Sequence, residues 1–334
     1  MRAVFVERFG RPEELMLREV AGRHPGPGQV LVEAHAMGLN YPDLMVIAGT
    51  YHNLHPLPFV PGKELAGIVR AVGEGVEGLR PGDRVAAQLE VGAFAEEVLV
   101  PAVQCYPIPP AIPMVVAAAM GLAYLTAYFA LTDRARLAPG EWVLVNGAAG
   151  GVGIAAVELV KALGGRAIAG LATMTKAGFV EAHGADAVVD LSEPDLVNAL
   201  RARVREITHG HGVDVVIDPV GGAVFEASLR TLAWGGRMIV VGFTSGEIPS
   251  VRVNYILVKH ISVTGIHWSD YREREPKRVA AAQALLFRLV EEGKLHPPVT
   301  ETYPLDRIAE ALAVLAERRV MGKVALVTRH AKEG

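Results

Sequence analysis

The sequence of 334 residues has a single cysteine, Cys105, and no large excess of charge of either sign. One cysteine excludes an internal disulfide and a multi-cysteine zinc cage, which fits a reducing compartment. The 33 Lys and Arg against 36 Asp and Glu leave a net charge of −3 with mixed signs, so no nucleic acid partner is expected. The first residues lack the long apolar core of a signal peptide. We therefore expect a cytoplasmic protein whose partners are small molecules or another copy of itself.

Long apolar runs are also scarce, and the one exception is Met114 to Leu131, which carries no charge. It is almost long enough to cross a bilayer. Its residues are dominated by alanine and interrupted by Gly121, which makes its transfer to lipid weak compared with a leucine-rich span. A membrane helix is the alternative, and a buried helix at a domain junction is the prediction.

A glycine-rich turn is the most informative feature that the sequence does contain. Residues Trp142 to Gly153, followed by Ile154 to Leu163, predict a buried strand, a turn and a helix. The turn reads Ala148-Ala149-Gly150-Gly151-Val152-Gly153 and has alanine at the first position of the G-x-G-x-x-G fingerprint. Gly150 still permits close approach of a pyrophosphate and Gly153 still permits tight helix packing. The motif predicts a dinucleotide held at the helix start by Ala149, Gly150, Gly151 and Val152. An ordinary glycine-rich turn is the alternative.

The rest of the chain predicts two domains of different texture. Further strands at Arg166 to Gly170, Val213 to Asp218, Arg237 to Gly242 and Ile261 to Gly265, with a helix from Lys176 to His183, indicate a doubly wound parallel sheet. The first 110 residues have short β-like runs separated by Pro-Gly turns. After Gly265, helical periodicity appears at Pro276 to Gly293 and Leu305 to Arg319, before a last strand at Val324 to Val327. The fold class is therefore α/β.

With these residues in hand, the chain resembles the medium-chain dehydrogenase/reductase superfamily, and within it the zinc-free quinone oxidoreductase branch that includes zeta-crystallin-like proteins. The matching stretches, in the family's order, are Gly38-Leu39-Asn40-Tyr41-Pro42-Asp43, Gly49-Thr50-Tyr51, Pro58-Phe59-Val60-Pro61-Gly62, Leu125-Thr126-Ala127-Tyr128, Gly184-Ala185-Asp186, Asp218-Pro219-Val220-Gly221-Gly222, Val241-Gly242-Phe243 and Gly322-Lys323-Val324. The resemblance implies a chaperonin-10-like β-barrel catalytic domain built from residues 1–122 and 266–334. A Rossmann dinucleotide-binding domain at 123–265 would be inserted, with the active site in the cleft between the two domains.

The resemblance also implies that no metal is held. The positions that carry zinc ligands in alcohol dehydrogenases correspond here to Asn40, Lys63 and Leu122, none of which is a good zinc ligand. The histidine pairs His52-x-x-His55 and His209-x-His211 each lack a third ligand. His52 and His55 follow Tyr51 and are expected to shape the acceptor pocket.

For the reacting groups, similar enzymes place Asn40 and Tyr51 beside the nicotinamide, where an amide or phenol can hydrogen-bond a developing oxyanion. Loop capping by Asn40 and a turn role for Tyr51 are the alternatives. Thr126 is predicted on the same face, and Asp43 is expected to orient its neighbours.

The cofactor prediction is NADPH. The stretch after the second strand, which contains Thr173 and Lys176, has no acid to grip ribose hydroxyls and ends in a lysine suited to a phosphate. Asp190-Leu191 departs from the Asn-Tyr pair of many similar proteins and weakens this prediction. Lys323 resembles the family's late lysine that reaches the cofactor phosphates, with a surface lysine as the alternative. Cofactor contacts are also predicted at Gly242, Phe243 and Thr244.

The expected activity is hydride transfer from NADPH to a quinone or enone, since loss of zinc removes a Lewis acid and conjugated acceptors need one least. The alternatives are an enoyl-thioester or activated-alkene reductase, and an NADPH-binding protein with little turnover. The strand Ile261 to Ile266 is the predicted edge of a homodimer.

Overall fold

The structure, a computed structural model, describes residues 1–332, and of Lys332 the backbone alone. The chain forms two compact units. The first contains Met1–Ala123, Ser269–Glu292 and the chain from Pro297 onward, and the second contains Tyr124–Trp268 and Gly293–His296. The boundaries lie one and three residues later than the expected 122 and 265, and residues 333–334 of the expected third segment lie outside the described residues.

Two contacts explain these later boundaries. The Trp268 ring stacks on Phe129, with 6.1 Å between the ring centroids, which keeps it with the second unit. The backbone N–H of His296 donates to the Glu158 carboxylate at 3.2 Å, so the short segment Gly293–His296 also belongs there.

The described residues form fifteen strands. In chain order they are β1 (Arg2–Phe5), β2 (Met16–Glu19), β3 (Gln29–Gly38), β4 (Glu64–Val72), β5 (Arg84–Gln88), β6 (Glu97–Pro101), β7 (Cys105–Pro107), β8 (Trp142–Asn146), β9 (Arg166–Leu171), β10 (Ala187–Asp190), β11 (Val213–Asp218), β12 (Leu232–Val240), β13 (Ser262–Gly265), β14 (Val299–Pro304) and β15 (Lys323–Val327).

Ten α-helices accompany them. They are α1 (Tyr41–Ala48), α2 (Met114–Phe129), α3 (Gly151–Ala162), α4 (Ala177–Ala182), α5 (Leu196–Ile207), α6 (Gly222–Thr231), α7 (Val253–Lys259), α8 (Trp268–Arg274), α9 (Pro276–Glu291) and α10 (Ile308–Ala316) within residues 1–332.

The second unit is built on a parallel sheet of six strands in the order β10-β9-β8-β11-β12-β13. All its pairings are parallel, with Leu144 of β8 opposite Ile168 of β9 and Val216 of β11. Such strands are buried on both faces when helices cover the sheet, and the residues of β8 and β11 are almost all apolar and buried. The carboxyl ends of the six strands therefore share one edge, where ligands of this architecture bind.

The first unit contains a mostly antiparallel sheet in the order β14-β15-β3-β4-β5-β7, with β6 also paired to β3. The long strand β3 pairs with β4, β6 and β15, and its residues are almost all buried. The last strand of the chain, β15, thus completes a sheet begun by the first hundred residues.

The uncharged run forms α2 and continues as a π-turn over Ala130–Arg134. Residues Met114–Arg134 form the one described helix that is long and apolar enough, by length and composition, to cross a membrane. Of the apolar stretch that meets this criterion, 72% is buried within the protein. Such burial is typical of a core helix.

Several element boundaries differ from the sequence predictions. Strand β12 starts at Leu232 and ends at Val240, where Val241 N still donates to Asp218 O; the chain then turns, and Thr244 N donates to Pro219 O. The predicted helix from Leu305 begins as a 3-10 turn, Leu305–Arg307, and its α-helical part ends at Ala316. Strand β10 lies outside the prediction because its four residues are too short for a clear period.

Candidate functional site

The glycine turn of the second unit follows β8 and leads directly into α3. Gly147 has φ 60°, a conformation that favours glycine. A Cβ on Gly153 would lie 2.3 Å from Gly147 O, so only glycine fits there. Gly150 is the extended residue before α3, which leaves the first amides of the helix without intrahelical acceptors. The turn is thus built as an anion-binding helix start, and its residues fit the pyrophosphate of a dinucleotide.

A buried polar cluster beneath this turn ties two strand ends together. The Asn146 amide donates to Asp218 Oδ1 at 3.0 Å and to Ser228 Oγ at 2.9 Å. Asp218 also accepts from the backbone N–H groups of Val220 and Gly221 at 3.2 Å. Burial raises the pKa of Asp218, and its three donors, Asn146, Val220 and Gly221, oppose the rise. The cluster holds the ends of β8 and β11 in register at the ligand edge of the sheet.

Apart from Thr126, the other predicted cofactor residues of this unit follow strands that end at the same sheet edge. Thr173 and Lys176 follow β9, and the segment Gly242 to Thr244 follows β12. Thr244 N donates to Pro219 O at 3.0 Å, which folds this segment over the loop after β11. Thr126 lies on α2, and its buried hydroxyl has no hydrogen-bond partner within residues 1–332. A buried hydroxyl without a partner is costly, which marks Thr126 as a group suited to a ligand.

The first unit contains a buried ion pair at the start of α1. Glu64 and Lys323 are 1% and 2% exposed, and the Lys323 ammonium donates to Glu64 Oε1 at 2.9 Å. It also donates to Asn40 Oδ1 at 2.6 Å and to Leu39 O at 2.8 Å, which uses all three of its hydrogens. Asn40 Nδ2 donates to the same Glu64 oxygen at 2.8 Å. The Asn40 side chain is therefore fixed at both ends.

The second oxygen of Glu64 is also used. The backbone N–H of Leu122 donates to Glu64 Oε2 at 2.7 Å. Gly38 and Gly121 make room for this carboxylate, because a Cβ on either would lie 2.2 Å and 2.9 Å from its oxygens. Glu64 is thus a hub that binds α1, α2 and β15 to one point of the first unit.

Asp43 is the third residue of α1 and is 1% exposed. Its Oδ2 accepts the backbone N–H of Asn40 at 2.8 Å, whereas its Oδ1 is buried without a partner among the described residues. Burial raises the pKa of Asp43 to about 7, although the positive charges of Lys63 and Lys323 oppose the rise. Asp43 thus fixes the Asn40 backbone, and burial brings its pKa close to neutral pH.

Tyr51 lies half-buried above a second ion cluster. The Lys63 ammonium is 4.7 Å from the centre of the Tyr51 ring and donates to Glu90 Oε1 at 2.8 Å. Arg272 and Ser269 donate to Glu90 Oε2, both at 3.0 Å. Burial opposes ionisation of Glu90, but the two cations hold its pKa at about 2. The positive charge of Lys63 is thus balanced by Glu90, and its ammonium is held beneath the tyrosine ring.

The Tyr51 hydroxyl itself remains a proton donor. Burial, with the nearby carboxylates of Glu90 and Asp43, raises the pKa of Tyr51 to about 12. The ring of His52 lies 4.2 Å from the Tyr51 ring, between centroids. His55 lies near Phe59, and burial lowers the pKa of its imidazole. A phenol and uncharged aromatic groups are suited to a flat, conjugated acceptor.

Comparisons with known proteins place this site in a family. Residues 26–110 match the alcohol dehydrogenase GroES-like domain, and residues 151–284 match the family described as zinc-binding dehydrogenase. The quinone oxidoreductase-like protein 2 homolog of Nematostella vectensis is 35% identical over 331 residues, which cover 98% of this chain and 89% of the relative. Human quinone oxidoreductase is 35% identical over 314 residues, with 93% and 92% covered.

A solved structure agrees with these relatives. Escherichia coli quinone oxidoreductase complexed with NADPH matches with a TM-score of 0.91 and 33% identity, over 98% of this chain and 100% of that one. The chain belongs to the quinone oxidoreductase-like proteins of the medium-chain dehydrogenase/reductase superfamily. The predicted family and the predicted fold class, a GroES-like domain with a Rossmann domain, are confirmed.

Asn40, Lys63 and Leu122, the positions that the sequence resemblance assigns to zinc ligands, have other bonding partners in the structure. Asn40 and the backbone of Leu122 are both bonded to Glu64, and Lys63 presents an ammonium bonded to Glu90. An amide, an alkyl side chain and an ammonium do not form a zinc site. Within residues 1–332, no group of three His, Cys, Asp or Glu side chains is arranged to hold a metal ion.

The structure corrects the expectation for Lys323. The sequence resemblance assigns it to cofactor phosphates, but its ammonium is buried in the first unit with three oxygen partners. Its role is to neutralise Glu64 and to position Asn40. The family motif predicted a lysine at this place in the chain, but the sequence did not reveal its partners.

The sequence reasoning also missed the carboxylates that hold the site together. Glu64 stands beside Lys63 in the Gly-Lys-Glu triplet, and Asp218 opens the Asp-Pro-Val-Gly-Gly motif. Both motifs are recognisable in the sequence, but the hydrogen-bond partners of these two carboxylates are not. Glu90 and Arg272 are 182 residues apart, and no local pattern connects them.

Proposed function

We propose that this protein is an NADPH-dependent oxidoreductase that transfers a hydride to a quinone or another conjugated acceptor without a zinc ion. The observation that carries the proposal is the hydrogen-bonded network of Asn40, Glu64 and Lys323, in which Asn40 stands at a position that the sequence resemblance assigns to a zinc ligand. A metal-free site cannot polarise a simple carbonyl strongly, so an acceptor that spreads its own charge suits it best.

The cofactor proposal rests on the second unit. The helix start at Gly150 to Val152 suits a pyrophosphate, and Thr126 offers an unpartnered buried hydroxyl. Lys176 follows β9, where an NAD-dependent protein would usually carry an acid. The NADPH complex of the Escherichia coli relative supports this assignment. When bound, NADPH supplies the hydride.

The residues of the first unit supply orientation and a proton. Tyr51 donates a hydrogen bond to the acceptor oxygen as negative charge develops there, and its raised pKa keeps it protonated. Asn40 offers its amide from a side chain held by Glu64 and Lys323. Asp43 fixes the Asn40 backbone and, with a pKa of about 7, can hold or release a proton.

The test is hydride transfer from cofactor labelled with deuterium at its transferable position. We expect the label on the carbon of an enone product, and we expect turnover of quinones without stoichiometric zinc by elemental analysis. Tyr51→Phe should lower turnover by about 10²- to 10⁴-fold, the range of positioned acid catalysis. Tyr303→Phe, which removes a tyrosine hydroxyl that donates to Glu301 in the first unit, is the matched control and should leave turnover unchanged.

Four results would contradict the proposal. Deuterium found only in solvent would exclude direct transfer, and an essential zinc in each chain would exclude the metal-free mechanism. Activity confined to enoyl thioesters would assign the site to alkene reduction instead. Binding of NADPH without turnover of any acceptor in a panel of quinones, enones and enoyl-CoA esters would indicate a cofactor-binding protein.

A further inference from the structure

A cationic pocket lies in the second unit, away from the dinucleotide turn. It has a volume of about 160 Å³ and is lined by Arg201 and Arg205 of α5, Arg230 of α6 and Lys259 of α7. Trp234, at the start of β12, also lines it and is 77% exposed. Four cationic side chains thus meet in one small cavity.

These charges lack acidic partners. Within residues 1–332, no carboxylate lies within the 4.0 Å of an ion pair from Arg201, Arg205, Arg230 or Lys259. By contrast Arg203, which is on the same helix, pairs with Glu206 at 2.7 Å. The partial negative charge at the ends of α5 and α6 compensates some of this charge, but only near the last turn. Burial, together with repulsion from Arg201, Arg205 and Arg230, lowers the pKa of Lys259.

Two of the four cations, Lys259 and Arg230, are also held in place. Lys259 Nζ donates to Leu232 O at 2.7 Å and to Arg230 O at 3.3 Å, which directs the ammonium to the junction of α6 and β12. The Arg230 guanidinium lies 3.8 Å from the centre of the Tyr255 ring. Arg201 and Arg205 are four residues apart and therefore share a face of α5. A preorganised group of guanidinium forks matches phosphate oxygens in geometry and charge.

We propose that this pocket is a binding site for the phosphoryl groups of a small phosphorylated ligand. A phosphoryl group carries close to two negative charges at neutral pH, so two adjacent groups balance four cations. The exposed Trp234 indole offers a surface for an aromatic base beside the phosphates. Inorganic pyrophosphate and a nucleoside diphosphate are the two sources of this chemistry.

The pocket is separate from the dinucleotide site. It lies at the beginning of β12, whereas the glycine turn follows the end of β8, and the strands are parallel. The paired length of β11, from Val213 opposite Leu232 to Asp218 opposite Val240, is five steps of about 3.3 Å and separates the two sheet edges by roughly 17 Å. One cofactor molecule bound at the turn therefore leaves the pocket accessible.

Calorimetric titration of the full-length protein with pyrophosphate and with ADP tests the proposal. In the double variant Arg201→Gln/Arg205→Gln we expect both to bind at least about tenfold more weakly, because each lost bond to a charged group is large. Arg203→Gln removes one charge from the same helix outside the pocket and should bind as the wild type does. A probe that binds at the glycine turn should bind equally to the wild type, the double variant and Arg203→Gln, because none of these changes lies at the turn. Such binding therefore does not mimic the expected loss of affinity.

The two sources are separated by Trp234→Ala. If ADP binds more tightly than pyrophosphate and this variant removes the difference, the ligand is a nucleotide; equal affinities identify the phosphate groups alone, and both results support the site. Circular dichroism and NADPH binding verify that the variants are folded. Equal affinity of the wild type and the double variant, or no binding of either probe at millimolar concentration, would overturn the proposal.

Discussion

At the scale of single residues, the lysines of this protein have separate tasks. Lys63 and Lys323 are buried and paired with Glu90 and Glu64, whereas Lys176 is partly exposed after β9. Burial lowers the pKa of Lys176, which a bound phosphate would reverse. Position in the fold therefore decides which lysine is available to a cofactor.

Lys176→Ala should weaken NADPH binding by about 10- to 150-fold and leave NADH binding nearly unchanged, because it removes a charge-assisted bond to the additional phosphate. Fluorescence titration with both cofactors measures this. Lys161→Ala is the control, since Lys161 pairs with Asp186 at 2.7 Å. Equal weakening of NADH and NADPH would contradict the role assigned to Lys176.

Lys323→Met should destabilise the protein by about 3–5 kcal/mol, because it leaves the Glu64 carboxylate buried without its cation. The double variant Lys323→Met/Glu64→Gln should recover part of this loss. Urea unfolding measures both, and NADPH affinity of the folded single variant should stay near that of the wild type. If the single variant loses NADPH affinity and the double variant does not restore it, Lys323 belongs to the cofactor site after all.

Asp43 gives the stability of the protein a pH dependence. Its folded pKa of about 7 exceeds its ordinary value of 3.8, so the folded state binds the proton more tightly than the unfolded chain. The stability contributed through this group therefore falls as pH rises from about 4 to about 7, and is constant above that. Asp43→Asn cannot ionise, so it should lose less stability than the wild type over that window in denaturant titrations. Parallel profiles would contradict this assignment.

At the scale of elements, the glycine turn separates two roles that the sequence motif combines. Gly153→Ala places a Cβ 2.3 Å from Gly147 O and should cost about 1–3 kcal/mol of stability as the backbone moves. Gly150→Ala meets its nearest atom at 3.4 Å and should fold normally, yet its methyl group stands where phosphates approach, so NADPH binding should be lost.

Thermal unfolding and cofactor titration distinguish the two variants. Gly178→Ala in α4, which has no atom within 4 Å of its new Cβ, is the control and should change neither property for the worse. A stable Gly153→Ala protein that binds NADPH would show that the turn tolerates a side chain there.

Local patterns revealed the elements on which the site is built, but not the contacts between them. The strand, turn and helix of residues 142–163 follow from a local pattern of neighbouring residues, and the structure has β8 and α3 there. The Asn40 and Lys323 pair is separated by 283 residues, so neither spacing nor periodicity could join them. Asp43 was assigned an orienting role from sequence, whereas its raised pKa depends on burial that only the fold creates.

At the scale of the whole molecule, we propose a homodimer formed through the edge strand β13. Within residues 1–332, β13 pairs with β12 alone, and the nearby helix α7 exposes Val253, Leu257 and Val258 by 73%, 76% and 73%. An exposed strand edge beside apolar side chains favours pairing with a second copy.

Light scattering at micromolar concentration should report twice the chain mass for the wild type. Val258→Glu should shift the protein toward the monomer, because burying an unpaired carboxylate in an interface is costly. Val103→Glu, at a valine that is 66% exposed in the first unit, should remain dimeric. A monomeric wild type, or a Val258→Glu protein that stays dimeric, would contradict the proposed interface.

The late position of β15 in the chain has a consequence for synthesis on the ribosome. Asn40 is made 283 residues before Lys323, and at about 5–20 residues per second it waits roughly 15 to 60 seconds for it. During that time β3 has an open edge and Glu64 has no cation, whereas all six strands of the second unit emerge without interruption. The nucleotide-binding half can thus mature on the nascent chain, and the chemical half is completed only when the last strand is delivered.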